Sequence, residues 1–202
     1  MRLVLATANT DKAVELAAIL EDELGGLVEL VARPRGVAAV EETGETLEDN
    51  ARLKAVALVE ATGEAAVADD TGLEVAALAG APGARSARFA GETATYADNV
   101  AKLLAALEGE SDRRARFRTV VLCRLPDGSE IIGEGAVEGE IAPSPQGEAG
   151  FGYDPVFVPD GGGGRTFAEM SPEEKHRLSH RGLALRSFAT RLRQSQAATV
   201  HE

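Results

Sequence analysis

The chain has 202 residues, 44% of them hydrophobic and 27% charged, the profile of an ordinary globular protein that can bury a sizeable core without disulfide or metal staples. Its 21 Lys+Arg against 33 Asp+Glu give a formal net charge of -12, which argues against long DNA or RNA as a partner. Cys123 is the only cysteine, so a disulfide framework and a cysteine zinc cluster are excluded and a reducing compartment is expected.

The first residues are mostly apolar but turn polar at Asn9, without the long apolar stretch and cleavage site of a leader, and so read as a first strand. No segment reaches the roughly 18 unbroken apolar residues of a membrane span. Residues 3–6 predict that strand, and Ala13, Leu16, Ala17, Leu20 and Leu24 recur at helical spacing up to the stop at Gly25 and Gly26. A second strand is predicted over 27–32, and this βαβ opening favours an α/β layer fold. Thr46, with Asp49 three residues later, predicts a capped helix to about Thr62, ended by Gly63. Residues 65–68 read as a short buried strand delivering Asp69, Asp70, Thr71 and Gly72 at its C-terminal end, where α/β sheets usually place ligands. A turn cluster at 80–83, a loop over 85–91 and a helix over 95–107 follow. A long antiparallel hairpin over 117–125 and 129–140 makes the sheet mixed. After a loop over 143–152 and a short strand at 156–158, residues 161–164 read as a glycine-rich tip. They are not a phosphate loop, since no Lys-Ser/Thr and helix follow. Ser171, Pro172, Glu173 and Glu174 are a strong helix start, and a last helix is predicted from Ser179 to about Leu192. The expectation is a single two-lobed domain over 1–193, with 194–202, including an inert His201, as a disordered tail.

Several residue groups can carry chemistry, each with a structural reading beside the functional one. Asn9 and Lys12 stand where the first strand meets the first helix, where backbone N–H groups favour an anion; a solvated lysine is the alternative. Asn50 and Lys54 leave one helix face and can reach a common phosphate, or lie on the surface. Asp69 and Asp70 are adjacent carboxylates that repel unless a cation or hydrogen bonds intervene. As hard oxygen ligands they suit magnesium, with Glu41 or Glu42 as a third carboxylate; the alternative is turn chemistry. Phe151, Gly152, Tyr153 and Asp154 hold two of the chain's eight aromatic residues, suited to stacking on a base or to plugging a core. Lys175, His176, Arg177, His180 and Arg181 form a positive cluster in an acidic chain, suited to a small polyanion or lying at a solvated helix junction. There is no Gly-x-Ser-x-Gly elbow, and Cys123 sits mid-strand, where a buried structural thiol is the natural reading.

Taken in order, residues 5–12, Glu41 to Gly44, Asn50 with Lys54, Asp69 to Gly72, Gly80 to Gly83 with Ser86 to Arg88, Phe151 to Pro155 and Ser179 to Gly182 resemble one family, that of the inosine/xanthosine triphosphate pyrophosphatases. The resemblance runs from residue 3 to about 192. It implies a mixed, elongated α/β sheet flanked by helices, in two lobes with a nucleotide cleft between them. It also implies a cytoplasmic homodimer that hydrolyses deaminated purine nucleoside triphosphates (dITP, ITP, XTP) to monophosphate and diphosphate with Mg2+. Carried over residue by residue, Thr7, Ala8, Asn9, Thr10, Asp11 and Lys12 would hold the triphosphate with Asn50 and Lys54. Asp70 would accept a proton and ligate the metal with Asp69 and one of Glu41 and Glu42. Thr71 and Arg88 would contact substrate, and Phe151, Gly152, Tyr153, Asp154, Lys175, His180 and Arg181 would form the base and sugar pocket. Ala8 stands where the family commonly has glycine, and Thr71 where it has serine.

Two other readings have weight. A septum-inhibitor-type nucleotide pyrophosphatase would carry Ser-x-Arg-Arg after the first strand, and that motif is absent. A non-catalytic nucleotide-binding module would not need the Glu41, Glu42, Asp69 and Asp70 carboxylates together.

Overall fold

The computed structural model describes residues 1–199, so His201 and the last part of the expected tail lie outside the described residues. Seven strands form one mixed sheet in the order β2-β1-β3-β5-β6-β7, with β4 paired to β3. β1 (Arg2–Leu5) runs parallel to both β2 (Glu29–Val31) and β3 (Ala65–Val75). β3 is antiparallel to β4 (Pro82–Gly83). β5 (Arg114–Arg124) and β6 (Glu130–Ile141) are neighbours joined by the tight turn that the hairpin pattern predicts, and β6 pairs antiparallel with β7 (Phe157–Pro159). The α-helices among the described residues are α1 (Thr10–Leu24), α2 (Leu47–Thr62), α3 (Tyr96–Ala106), α4 (Pro172–Leu178) and α5 (His180–Thr199).

Local chemistry accounts for the helix ends. Thr46 Oγ1 accepts the Asp49 N–H at 3.1 Å, while its own hydroxyl donates to the Asp49 carboxylate. Full reciprocal capping boxes start α3 at Thr95 and Asp98, and α4 at Ser171 and Glu174. Gly63 ends α2 in the left-handed conformation, at φ 72°, which a β-carbon would strain.

Two expectations change. The strand expected to stop at Ala68 continues through Asp69 and Asp70 to Val75, so the paired carboxylates lie inside a strand and not at its C-terminal end. The turn-like Asp-Thr-Gly composition is overridden because β3 pairs with β1 before it, at Ala65 to Val67, and with β4 after it, at Leu73 and Glu74, with β5 as its other neighbour. The last helix also runs past Leu192 to Thr199, because 193–198 holds good helix formers and no proline or glycine.

The chain forms two compact units. The first holds residues 1–70, 119–135 and those from Ala184 on. Its main cluster joins Leu3, Leu5, Ala65, Val67, Val121 and Cys123 of the sheet to Leu16, Leu20 and Leu24 of α1 and to Leu185, Phe188 and Leu192 of α5. These strand positions alternate, so they share one face. α5 lies so close to β6 that a β-carbon on Gly133 would meet the Phe188 backbone nitrogen at 2.4 Å. Burial pushes the Cys123 thiol up to about 12, as fits a structural cysteine. The second unit holds residues 71–118 and 136–183 and has its own core around Leu73, Leu103, Phe117, Ile141, Phe157 and Phe167. No helix among the described residues is long and apolar enough to cross a membrane.

Candidate active site

In the first unit the turn from β1 into α1 is organised by Asn9. Its Oδ1 accepts the N–H groups of Asp11 at 2.9 Å and Lys12 at 3.1 Å, and its own N–H donates to Thr7 Oγ1. The first-turn donors that the sequence offers to an anion are thus partly taken by the cap itself. Thr7, Ala8, Asn9 and Thr10 line a cavity of about 310 Å³ whose other wall includes Arg33 and Arg35.

Adjacent residues of a strand point to opposite faces, and Asp69 and Asp70 each meet a different lysine. Asp69 Oδ2 lies 3.2 Å from Lys12 Nζ of α1. Asp70 Oδ1 lies 2.8 Å from Lys54 Nζ of α2, and Asp70 Oδ2 accepts from Asn50 Nδ2 at 3.3 Å. Lys54 Nζ also donates to Glu42 Oε1 at 2.9 Å and to the Asp69 carbonyl at 2.7 Å. The expected clash of neighbouring carboxylates is therefore relieved by strand geometry and two ammonium groups. Asp69 and Asp70 are buried, Glu42 half-buried and Glu41 exposed.

Burial raises the Asp70 pKa above its ordinary value, helped by Glu42 and opposed by Lys54 and Lys12. Burial also works to lower Lys54, but Asp70, Asp69 and Glu42 outweigh it and hold the ammonium above its ordinary value. A carboxylate made more basic in this way is suited to accept a proton. Among the described residues no three or more His, Cys, Asp or Glu side chains gather as a metal cage. Glu42 and Asp70, two hard oxygen donors sharing one ammonium, match a cation that takes one or two carboxylates and completes its shell with water and phosphate oxygens.

In the second unit Phe151 is the centre. Lys175 Nζ lies 4.9 Å and the Arg181 guanidinium carbon 5.3 Å from its ring centroid, within cation–π range. Asp154 Oδ2 accepts from the Phe151 N–H at 2.8 Å and from Lys175 Nζ at 2.6 Å, so the loop and α4 are tied by one buried carboxylate. A β-carbon on Gly150, at φ 74°, would lie 2.1 Å from Asp154 Oδ2, which only glycine avoids. Arg181 reaches Thr71 Oγ1 at 3.3 Å. Tyr153 is a buried core residue whose hydroxyl donates to the Ser86 carbonyl at 2.9 Å, and burial pushes its pKa up. His180 is also buried, with its ring stacked on Phe117 at 4.3 Å. His176 and His180 stand four apart, but Ser179 caps α4 between them, so they do not share one helix face. Gly152 adopts φ 64° beside Phe151, and Arg88 ends a 3-10 turn 3.8 Å from Glu92.

Sequence reasoning missed Arg33 and Arg35, and also Tyr96, whose ring lies 5.8 Å from that of Phe151. Arg33 and Arg35 flank a proline in an irregular stretch, and Tyr96 reads as one more apolar helix position, so only proximity in space marks them.

The pattern describing the Ham1 family matches residues 3–191. A dITP/XTP pyrophosphatase of Desulforamulus reducens is 50% identical over 189 residues, covering 92% of each chain. One of Chlorobaculum tepidum is 47% identical, covering 94% of this chain and 92% of the other. Among solved structures, a HAM1 protein from Coxiella burnetii has a TM-score of 0.86 at 41% identity, covering 96% of this chain and 99% of that one. A nucleoside-triphosphatase, dITP/XTP pyrophosphatase, from Mycobacterium abscessus has a TM-score of 0.71 at 46% identity, covering 92% and 96%. With the ordered motifs, the mixed sheet and a match over nearly its whole length, this chain belongs to the Ham1 family.

Proposed function

We propose that this protein is a dITP/XTP pyrophosphatase, hydrolysing deaminated purine nucleoside triphosphates to the nucleoside monophosphate and diphosphate with magnesium. The observation that carries the reading is Asp70, a buried carboxylate with a raised pKa, held by Lys54 and Asn50 and sharing that lysine with Glu42. A simple binding module has no need of such a base, and the related family members carry the pyrophosphatase name over nearly the same length.

In this reading Asp70 takes a proton from water as the water oxygen bonds to the α-phosphorus. The bond from that phosphorus to the bridging oxygen breaks, and the electron pair leaves with diphosphate. Glu42 and Asp70 would hold magnesium, and exposed Glu41 would not; bound there, the ion would neutralise charge on the phosphate oxygens. Thr7, Asn9, Thr10, Lys12, Asn50 and Lys54 hold the triphosphate. In the second unit the Phe151 face stacks on the base and Arg181 donates to a 6-oxo group. Adenine presents a 6-amino donor at that edge and leaves the buried donor unmatched, while guanine is rejected through its 2-amino group. The lone buried thiol fits a reducing compartment, and the cytoplasmic homodimer belongs to the same reading. Diphosphate release measured across a panel of nucleotides with magnesium tests it. Preference for dITP, ITP and XTP over ATP and GTP is expected, and equal rates on all five would refute it.

A further inference from the structure

The cavity beside the β1–α1 turn holds two cations that the reaction as described does not use. Thr7, Asn9, Thr10, Arg33 and Arg35 are among its lining residues, and no Asp or Glu is. Lys12 and Lys54 are each matched by a carboxylate, at 3.2 Å and 2.8 Å. Among the described residues Arg33 bonds to neutral partners, through its two terminal nitrogens to the Val37 and Ala38 carbonyls at 2.8 Å and 2.6 Å, so its charge is fixed in place without a carboxylate partner there. Arg35 is exposed, with no hydrogen bond or ion pair among the described residues. In a chain of net charge -12, two arginines without a carboxylate at one cavity make a local positive site, and the planar guanidinium suits phosphate oxygens. The helix end alone does not make this site, because Asn9 already takes the Asp11 and Lys12 N–H groups.

We propose that Arg33 and Arg35 bind the two terminal phosphates of the substrate and retain the diphosphate that leaves, which makes them the residues that distinguish a nucleoside triphosphate from its diphosphate. Arg33, clamped by the carbonyls, supplies fixed charge; Arg35, with its donors free, closes on the outermost phosphate. The inference rests on the pyrophosphatase reading, which puts a diphosphate at the far end of the substrate. A shorter nucleotide leaves the cavity empty and loses this attraction, while the base contacts in the second unit are unchanged.

The test is direct titration of the whole protein with inorganic diphosphate by calorimetry, beside steady-state inhibition by inorganic diphosphate and by inosine monophosphate. Arg35→Ala should weaken diphosphate binding about tenfold, as for loss of one charge-assisted hydrogen bond, and Arg35→Glu more. Inhibition by inosine monophosphate should stay within about twofold, and kcat/KM for inosine triphosphate should fall by more than that for inosine diphosphate. Arg33→Gln supplies a second variant at the cavity. Arg191→Ala, which makes the same change of net charge outside the cavity lining, is the control and should leave diphosphate affinity unchanged. Unchanged diphosphate affinity in Arg35→Ala and Arg35→Glu, or an equal loss in Arg191→Ala, would overturn the proposal. Because calorimetry needs no turnover, a wild-type protein that binds diphosphate but hydrolyses no nucleotide would refute the pyrophosphatase reading and leave this subsite standing.

Discussion

Lys54 Nζ lies 2.8 Å from Asp70 Oδ1, a contact that stabilises the charged carboxylate against a burial that raises its pKa. With Asp70 as the proposed base, the carboxylate must be ionised to accept a proton, and activity is expected to be lost as pH falls through this raised pKa. The acid limb of kcat/KM, which reports the free enzyme, should lie above the ordinary aspartate value of 3.8. Lys54→Met removes the opposing charge and should move the limb to still higher pH. A limb that stays put or moves down would separate Asp70 from the rate.

Asp70→Asn keeps the size of the side chain and removes its basicity. Turnover should fall by roughly 10² to 10⁴, the range for a positioned general base, with circular dichroism and melting temperature close to wild type. Near-normal turnover in the folded variant would move the base elsewhere, first to Asp69.

Lys175 and Asp154 form an ion pair at 2.6 Å with each side chain 6% exposed. Lys175→Met removes the ammonium that lies 2.6 Å from a buried carboxylate and should cost about 3 to 5 kcal/mol, read as a lower denaturation midpoint. Adding Asp154→Asn should recover much of that, since the stranded charge is gone. If the double variant is no more stable than the single one, the pair is not what holds the Phe151 loop.

Arg181 and His180 are adjacent in sequence but make different contacts, Arg181 with Thr71 and the Phe151 ring and His180 with the Phe117 ring. Arg181→Ala should lower kcat/KM for inosine triphosphate far more than for adenosine triphosphate, narrowing their ratio by roughly 10- to 150-fold, as for a lost hydrogen bond from a charged donor. His180→Ala removes a ring stacked on Phe117 and should lower thermal stability with little change in that ratio. Equal losses on both nucleotides in Arg181→Ala would leave it as a phosphate anchor.

Much of the fold was legible because burial leaves a period in the sequence. Leu16, Leu20 and Leu24 recur on one side of α1 and pack on alternate residues of β1 and β3, and Thr95 and Ser171 announce their helices through capping chemistry. The path of β3 was less legible, since Asp69, Asp70, Thr71 and Gly72 have turn composition, whereas the pairs that hold β3 to β1 and β4 lie on either side of them in the chain. The candidate site was legible as an ordered set of motifs, but its internal pairing was not. That Lys12 answers Asp69 and Lys54 answers Asp70 depends on which face of the strand each carboxylate takes. Arg33 and Arg35 left no signal, because what marks them is the absence of carboxylates around a cavity.

The most direct measurement is the identity of the products when the protein is incubated with inosine triphosphate and magnesium, separated by ion-exchange chromatography or phosphorus NMR. With attack on the α-phosphorus, the account predicts inosine monophosphate and inorganic diphosphate in equal amounts, with no orthophosphate. Inosine diphosphate and orthophosphate would contradict it, because the water would then have reached the terminal phosphorus.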